Sequence, residues 1–267
     1  MESSALLPPG IERGPATVRA FRWALVNTLL ANVTTSFLWF ALTFWAYVET
    51  RSVLATSIIG GSFMLLIAAF GTVFGTLVDR HLKKRIMLGS TLVTLVTFVV
   101  AGLLFVAFPE ERLVDWTGPV FWVFVVVILV GAVVESMRNI ALSTTVTLLV
   151  PADERDKANG LVGSVQGLGF MVTSVFSGLA VGLLGMGWTL VIAIGLTALA
   201  LAHVLSIQIP EVPPTRHADD PKGHVDVRGA WQAIQAVPGL LALIFFATFN
   251  NLVGGVFMAL MDPYGLT

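Results

Sequence analysis

Gly75-Thr76-Leu77-Val78-Asp79-Arg80-His81-Leu82-Lys83-Lys84-Arg85 decides how this chain must be read. It is a dense knot of charge inside about a hundred residues of mostly apolar sequence. One apolar run ends in it and another begins at Ile86. Apolar runs of about twenty residues match a bilayer core near 30 Å thick, so the flanks read as two membrane spans joined by a tight turn. Arg80, Lys83, Lys84 and Arg85 assign that turn to the cytoplasm by the positive-inside rule.

Composition agrees with this reading. Of 267 residues 56% are hydrophobic and only 12% charged, and the mean hydropathy is +0.89, so soluble folds are set aside. A net charge of −1 leaves no electrostatic footprint for nucleic acid. The absence of cysteine excludes disulfides, thiol catalysis and cysteine metal sites. No nucleophile–base set appears, and the four histidines have no metal-ligand spacing, so neither an enzyme nor a metal or cofactor is expected. The first apolar run itself directs insertion.

Outward from the turn, the hydropathy pattern predicts an all-α membrane protein. Residues 1–20 form a cytoplasmic tail, and residues 21–209 a bundle of six spans. Their approximate limits are 21–47, 53–78, 86–108, 120–150, 161–184 and 188–209. Residues 109–119 read as an outer loop, and Pro151 to Gly160 as a second cytoplasmic turn. The glycines Gly185 and Gly187 mark a hairpin between spans 5 and 6. A polar linker, 210–236, carries Pro210, Pro213, Pro214, Pro221 and Gly223. Span 7 follows at 237–260, and 261–267 is its outer end. This layout puts twelve of the fifteen Lys and Arg residues on the N-terminal side, two outside (Arg51, Arg112) and one, Arg138, within span 4.

Charges inside spans are costly, roughly 2.5–3.5 kcal/mol at a helix centre on insertion scales, so they mark candidate sites. Glu135 and Arg138 lie three residues apart on span 4 and share a helix face. They read either as a protonatable carboxylate tuned by a cation or as an ion pair that eases insertion. Span 1 carries the stripe Thr28, Asn32, Thr35, Ser36, Trp39, Thr43, and span 5 carries Gln166, Thr173 and Ser177 beside Phe170. Each stripe reads as a substrate-facing surface or as a helix contact. Gly71 and Gly75, and likewise Gly163 and Gly167, have the spacing of close helix packing.

The quoted turn resembles the first cytoplasmic loop of the major facilitator superfamily, Gly-x-Leu-Ala-Asp-Arg-x-Gly-Arg-Lys. Gly75, Leu77, Asp79 and Arg80 match it outright, and Lys83 and Lys84 match in charge. Val78 and Leu82 stand in place of the Ala and the second Gly. The stretch Val150 to Leu161 resembles the corresponding turn of the macrolide-efflux-like branch of drug antiporters, and Phe249 to Leu260 resembles that branch's span 7. Thr173-Ser174 departs from the Gly-Pro of many proton antiporters, and 121–130 lacks their span-4 arginine.

The resemblance covers about residues 20–267 and implies a six-helix N-terminal bundle of two inverted repeats plus the first helix of a second bundle. It implies a secondary active transporter of the cell membrane that exports amphipathic or hydrophobic small molecules by alternating access, coupled to protons. Glu135, Arg138, Asn32, Ser36, Trp39, Gln166 and Phe170 are its candidate substrate and coupling residues. Gly75, Asp79, Arg80, Lys83 and Lys84 are a candidate conformational latch. The expected partners are substrate, protons, lipid, and the missing C-terminal half or a second copy. Because relatives continue through five more spans, the chain is expected not to transport alone. The alternatives are a facilitator-type importer or lipid transporter, and a non-transporting membrane remnant or assembly partner. The charge asymmetry yields one direct expectation: alkaline phosphatase fused after Lys222 is inactive and after Thr267 active, and the reverse pattern overturns the layout.

Overall fold

In hydrocarbon every backbone N–H and C=O must be satisfied within the segment, so long apolar runs become helices. The computed structural model describes residues 15–150, 154–209 and 227–265, and among these there is no strand. The helices are α1 (Pro15–Thr50), α2 (Val53–Arg80), α3 (Lys83–Ala107), α4 (Glu110–Leu113), α5 (Pro119–Leu149), α6 (Arg155–Ser206), α7 (Val227–Ala236) and α8 (Leu240–Gly265). The chain is thus an all-α membrane protein. Five of these helices (α1, α2, α3, α5 and α6) are long and apolar enough to cross a membrane, and α8 carries a shorter apolar stretch, Leu240–Asn250. The tail before Pro15, Pro151–Asp153, the proline-rich linker 210–226 and the last two residues lie outside the described residues.

Several connections differ from the hydropathy reading because local capping extends the helices. The turn expected on the outer side after the first span shrinks to Arg51 and Ser52. Arg51 takes a positive φ of 51°, and Ser52 caps α2 by accepting from the Ala55 N–H at 3.1 Å. The expected outer loop 109–119 contains the one-turn helix α4, and Asp115 then closes it. The Asp115 carboxylate accepts from the Thr117 hydroxyl and backbone N–H at 2.5 and 3.0 Å. The Thr117 hydroxyl, then its N–H, hold that carboxyl below the usual carboxylate range. α6 already begins at Arg155 inside the expected second turn, and the last ten residues of the expected linker are helical as α7.

At 52 residues α6 is about 78 Å long if straight, more than twice a bilayer core. It breaks at Gly185, whose φ of 80° and ψ of 169° leave the helix and suit glycine. On one side of the break Ala158 and Val162 pack with Phe21 and Leu25 of α1. On the other, the Ala200 carbonyl accepts from Asn27 of α1 at 2.9 Å. Val181 and Met186, flanking the break, join Trp45 at the far end of α1. Both arms therefore run along α1, and α6 is a hairpin supplying two crossings.

The expected latch cations have structural work at one end of this bundle. Lys83 is buried, and its Nζ donates to the Val78 carbonyl at 2.7 Å, capping α2. Lys84 Nζ donates to the Leu205 carbonyl at 3.2 Å, capping α6. A cation at the negative end of a helix dipole is worth typically 0.3–1 kcal/mol. Arg80 and Asp79 are exposed in the last turn of α2, and Gly75 is half-buried one turn earlier.

Close packing falls elsewhere than the sequence spacing indicates. A Cβ on Gly71, Gly75, Gly163 or Gly167 would meet nothing within 4 Å, so these glycines do not bring the described helices together. Gly131 on α5 does. A Cβ there would collide with Thr97 Oγ1 and come within 3.1 Å of Phe98 Cε1 on α3, and the Gly131 carbonyl accepts from Thr94 at 3.0 Å. Gly131→Ala is therefore expected to destabilise the bundle by about 1–3 kcal/mol, read as an earlier thermal unfolding midpoint in detergent. Gly71→Ala and Gly163→Ala should leave the midpoint of this chain in place.

Candidate coupling and substrate site

Arg138 cannot lose its charge in a protein, so when a helix carries it into a bilayer its five N–H donors must find acceptors. Its side chain is fully buried. Nε donates to Glu135 Oε1 at 2.5 Å, an i,i+3 ion pair within α5. One terminal nitrogen donates to Asn27 Oδ1 on α1. The other donates to Thr91 Oγ1 and, at 3.4 Å, to the Met87 carbonyl, both on α3. Glu135 is 3% exposed, and its second oxygen accepts from Thr94 at 3.2 Å. Asn27 passes the network on to the second arm of α6, with Nδ2 2.9 Å from the Ala200 carbonyl and 3.0 Å from His203 Nδ1. One buried guanidinium thus ties α1 and α3 directly to α5, and reaches α6 through Asn27.

The polar stripe of α1 lies further along. Trp39 is about 18 Å from Asn27 at about 1.5 Å per residue. Its ring meets Phe40 at 5.1 Å and Phe63 of α2 at 5.4 Å between centroids. Phe40 makes an edge contact with Phe170 of α6 at 4.9 Å. A Cβ on Gly169 would stand 3.9 Å from Asn32 Cβ. Asn32, Trp39 and Phe170 thus belong to one aromatic seam joining α1, α2 and the first arm of α6. Asn32 and Trp39 are half-buried, Phe170 is exposed, and Ser36 and Gln166 are half-buried on the neighbouring turns of α1 and α6. The Trp39 indole N–H is buried without a hydrogen-bond partner, as is the Thr28 hydroxyl. Other members of the two stripes are internally satisfied: Thr43 donates to the Trp39 and Phe40 carbonyls, Thr173 to Gly169 and Ser177 to Ser174.

The candidate residues therefore form two groups, a charged cluster around Arg138 and an aromatic seam around Trp39. A separate cleft of about 340 Å³, between Trp45, Phe105, Leu184 and Gly187, sits at the Gly185 end and includes none of them. Asn27, Thr91, Thr94 and His203 were not legible as site residues. Asn27 adjoins the expected stripe but lies off it, and the two threonines sit in an apolar run with no charge to mark them. Among the described residues no group of His, Asp and Glu is placed to hold a metal ion.

A bundle of long apolar helices packed around one buried guanidinium, with an α6 hairpin and a basic α2–α3 turn, invites comparison with known transporters. A family model described as Major Facilitator Superfamily matches residues 24–267. The chain belongs to the major facilitator superfamily. That membership makes it a transporter-family membrane protein and not an enzyme. Macrolide efflux protein A of Streptococcus pyogenes is 26% identical over 233 residues, 86% of this chain and 54% of that protein. Macrolide efflux protein A of Enterococcus faecalis is 28% identical over 203 residues, 75% of this chain and 58% of that protein. The chain thus spans little more than half the length of these relatives. No solved structure matches.

The geometry around Arg138 predicts non-additive energetics. Arg138→Met strands the buried Glu135 carboxylate and should cost about 3–5 kcal/mol. Adding Glu135→Leu should recover part of that loss, since no stranded charge then remains at this junction. Unfolding midpoints of the two single variants and the double variant, measured in detergent, check it. Strict additivity would show that the two side chains do not interact.

Proposed function

We propose that this chain supplies the first bundle of a secondary active transporter that exports amphipathic or hydrophobic small molecules by alternating access, coupled to protons. The observation that carries the reading is the orphaned Trp39 N–H within the aromatic seam. A buried donor without an acceptor costs roughly 1–3 kcal/mol, and a substrate carbonyl, hydroxyl or ether oxygen offsets that cost. Apolar walls with a few placed polar groups are what a ligand site for such molecules requires. Asn32, Ser36 and Gln166 supply further half-buried polar groups, and Phe170 an exposed aromatic face. The names of the macrolide efflux relatives fit this substrate class.

Glu135 is the coupling carboxylate in this reading, with Arg138 as its partner whenever the pair is closed. Asp79 is the latch. An exposed carboxylate in the last turn of α2 faces the negative end of its own helix dipole, so it gains by meeting the positive N-terminus of a helix elsewhere. Such a contact forms in only one state of the rocking cycle and biases it. Gly75 keeps the surface beside Asp79 low, and Arg80, Lys83 and Lys84 complete the loop. The glycine faces of α2 and α6, open in this chain, suit close helix contact with the C-terminal half or a second copy. The N-terminus is cytoplasmic: the charge-rich turn, the start of α1 and both ends of α6 share one end of the bundle.

The test is drug accumulation in cells carrying the full transporter. Trp39→Phe keeps the ring and removes the N–H, and should weaken apparent substrate affinity about 2- to 10-fold, the equivalent of one hydrogen bond. Glu135→Gln, which still accepts a hydrogen bond from Arg138, should leave expression normal and abolish the pH dependence of efflux. Unchanged affinity in the first variant removes Trp39 from the site, and unchanged pH dependence in the second returns Glu135 to a structural role.

A further inference from the structure

We infer that His203 is a proton-binding site whose occupation is mutually exclusive with the Asn27–Arg138 hydrogen bond. The argument rests on the polarity of one amide. Asparagine oxygen and nitrogen are distinguished by their partners, and Asn27 has two partners of fixed polarity. Arg138 only donates, so it takes Oδ1. The Ala200 carbonyl only accepts, so it takes Nδ2 at 2.9 Å. Both partners set the amide the same way round. Nδ2 is then the atom that faces His203 Nδ1 at 3.0 Å, and Nδ1 must be the acceptor. In this state the imidazole is neutral and its proton sits on Nε2.

A proton arriving on Nδ1 turns that contact into donor against donor. The bond is regained only if the Asn27 amide rotates to present Oδ1 to His203. Rotation takes Oδ1 from Arg138 and turns an NH2 group toward the guanidinium. The same rotation strips the Ala200 carbonyl of its donor. Arg138 is then left with Glu135, Thr91 and the Met87 carbonyl. His203 is half-buried near the end of α6 and lies against the exposed ring of Trp23, 5.4 Å between centroids.

The charged groups on the elements packed around His203 are few. On α1 they are Arg19 and Arg22, both exposed, and Glu49 at the far end; on α3 they are Lys83, Arg85 and Lys84, whose Nζ binds the neighbouring Leu205 carbonyl. On α5 they are Arg138 and Glu135, and at the start of the first arm of α6 Arg155, Asp156 and Lys157, with Glu154 just before it. The polar side-chain contact that fixes the state of the imidazole is Asn27. Asn27 is thus a positioning residue. The consequence for transport rests on the reading of Glu135 and Arg138 given above, whereas the tautomer of His203 does not.

Nitrogen-15 NMR reads both. The full-length protein, with His81, His217 and His224 replaced by Gln and its histidine and arginine nitrogens labelled, is reconstituted in lipid bilayers. At alkaline pH the Nδ1 resonance should be that of an unprotonated acceptor and Nε2 that of N–H; an Nδ1–H tautomer overturns the inference. On acidification, protonation of Nδ1 should move in step with the Arg138 guanidinium resonances. Asn27→Leu should uncouple the two, and Asn27→Asp, an acceptor facing Nδ1, should invert the tautomer. Independent titration in the unsubstituted Asn27 protein also overturns it. Because the readout is spectroscopic, Glu135→Gln could leave efflux unaltered while the tautomer prediction stands.

Discussion

A guanidinium buried in a membrane bundle is the constraint on which much else here depends. Arg138 brings a permanent charge into the interior, and each of its donors needs an acceptor there. Glu135 supplies the countercharge from the same helix, and Thr94 takes up that carboxylate's second oxygen. Asn27 and Thr91 recruit the two neighbouring helices. Association of helices in lipid has little hydrophobic drive, and packing and polar contacts must supply it. The close approach at Gly131 places Thr94 where it can reach both the Gly131 carbonyl and Glu135. Packing and charge satisfaction at this junction are one arrangement.

Most other polar side chains in the spans meet the same constraint locally. Thr34, Thr43, Thr145, Thr173, Thr189 and Thr197 return their hydroxyls to carbonyls one turn back. This neutralises them without a partner helix. The exceptions are informative because the rule is so widely followed. The Trp39 N–H has no such local option, since an indole cannot bend back to its own helix, and it is left open in an aromatic seam.

The basic turn after α2 shows how one motif serves two ends. Lys83 and Lys84 close the carbonyl ends of α2 and α6, which locks the α2–α3 turn and the last helix of the bundle together. Asp79 remains on the surface one turn earlier. The rigid part of the loop thus holds the exposed carboxylate at a defined place on the bundle end.

Much of the architecture was legible in the sequence. Hydropathy alone yields the succession of helices, because apolar length is what a bilayer reads. The glycines at 185 and 187 mark the α6 hairpin, and the positive φ at Gly185 suits glycine. The pairing of Glu135 with Arg138 follows from a spacing of three on one helix. Other features needed the tertiary structure. Asn27, Thr91 and His203 come from three different helices, and no periodicity within one helix records what lies across from it. The packing glycine is Gly131 rather than Gly71, Gly75, Gly163 or Gly167, because spacing shows which residues share a face and not which face meets a neighbour. The amide polarity of Asn27 is set by a donor-only partner on one side and an acceptor-only partner on the other, an arrangement that exists only once α1, α5 and α6 are packed.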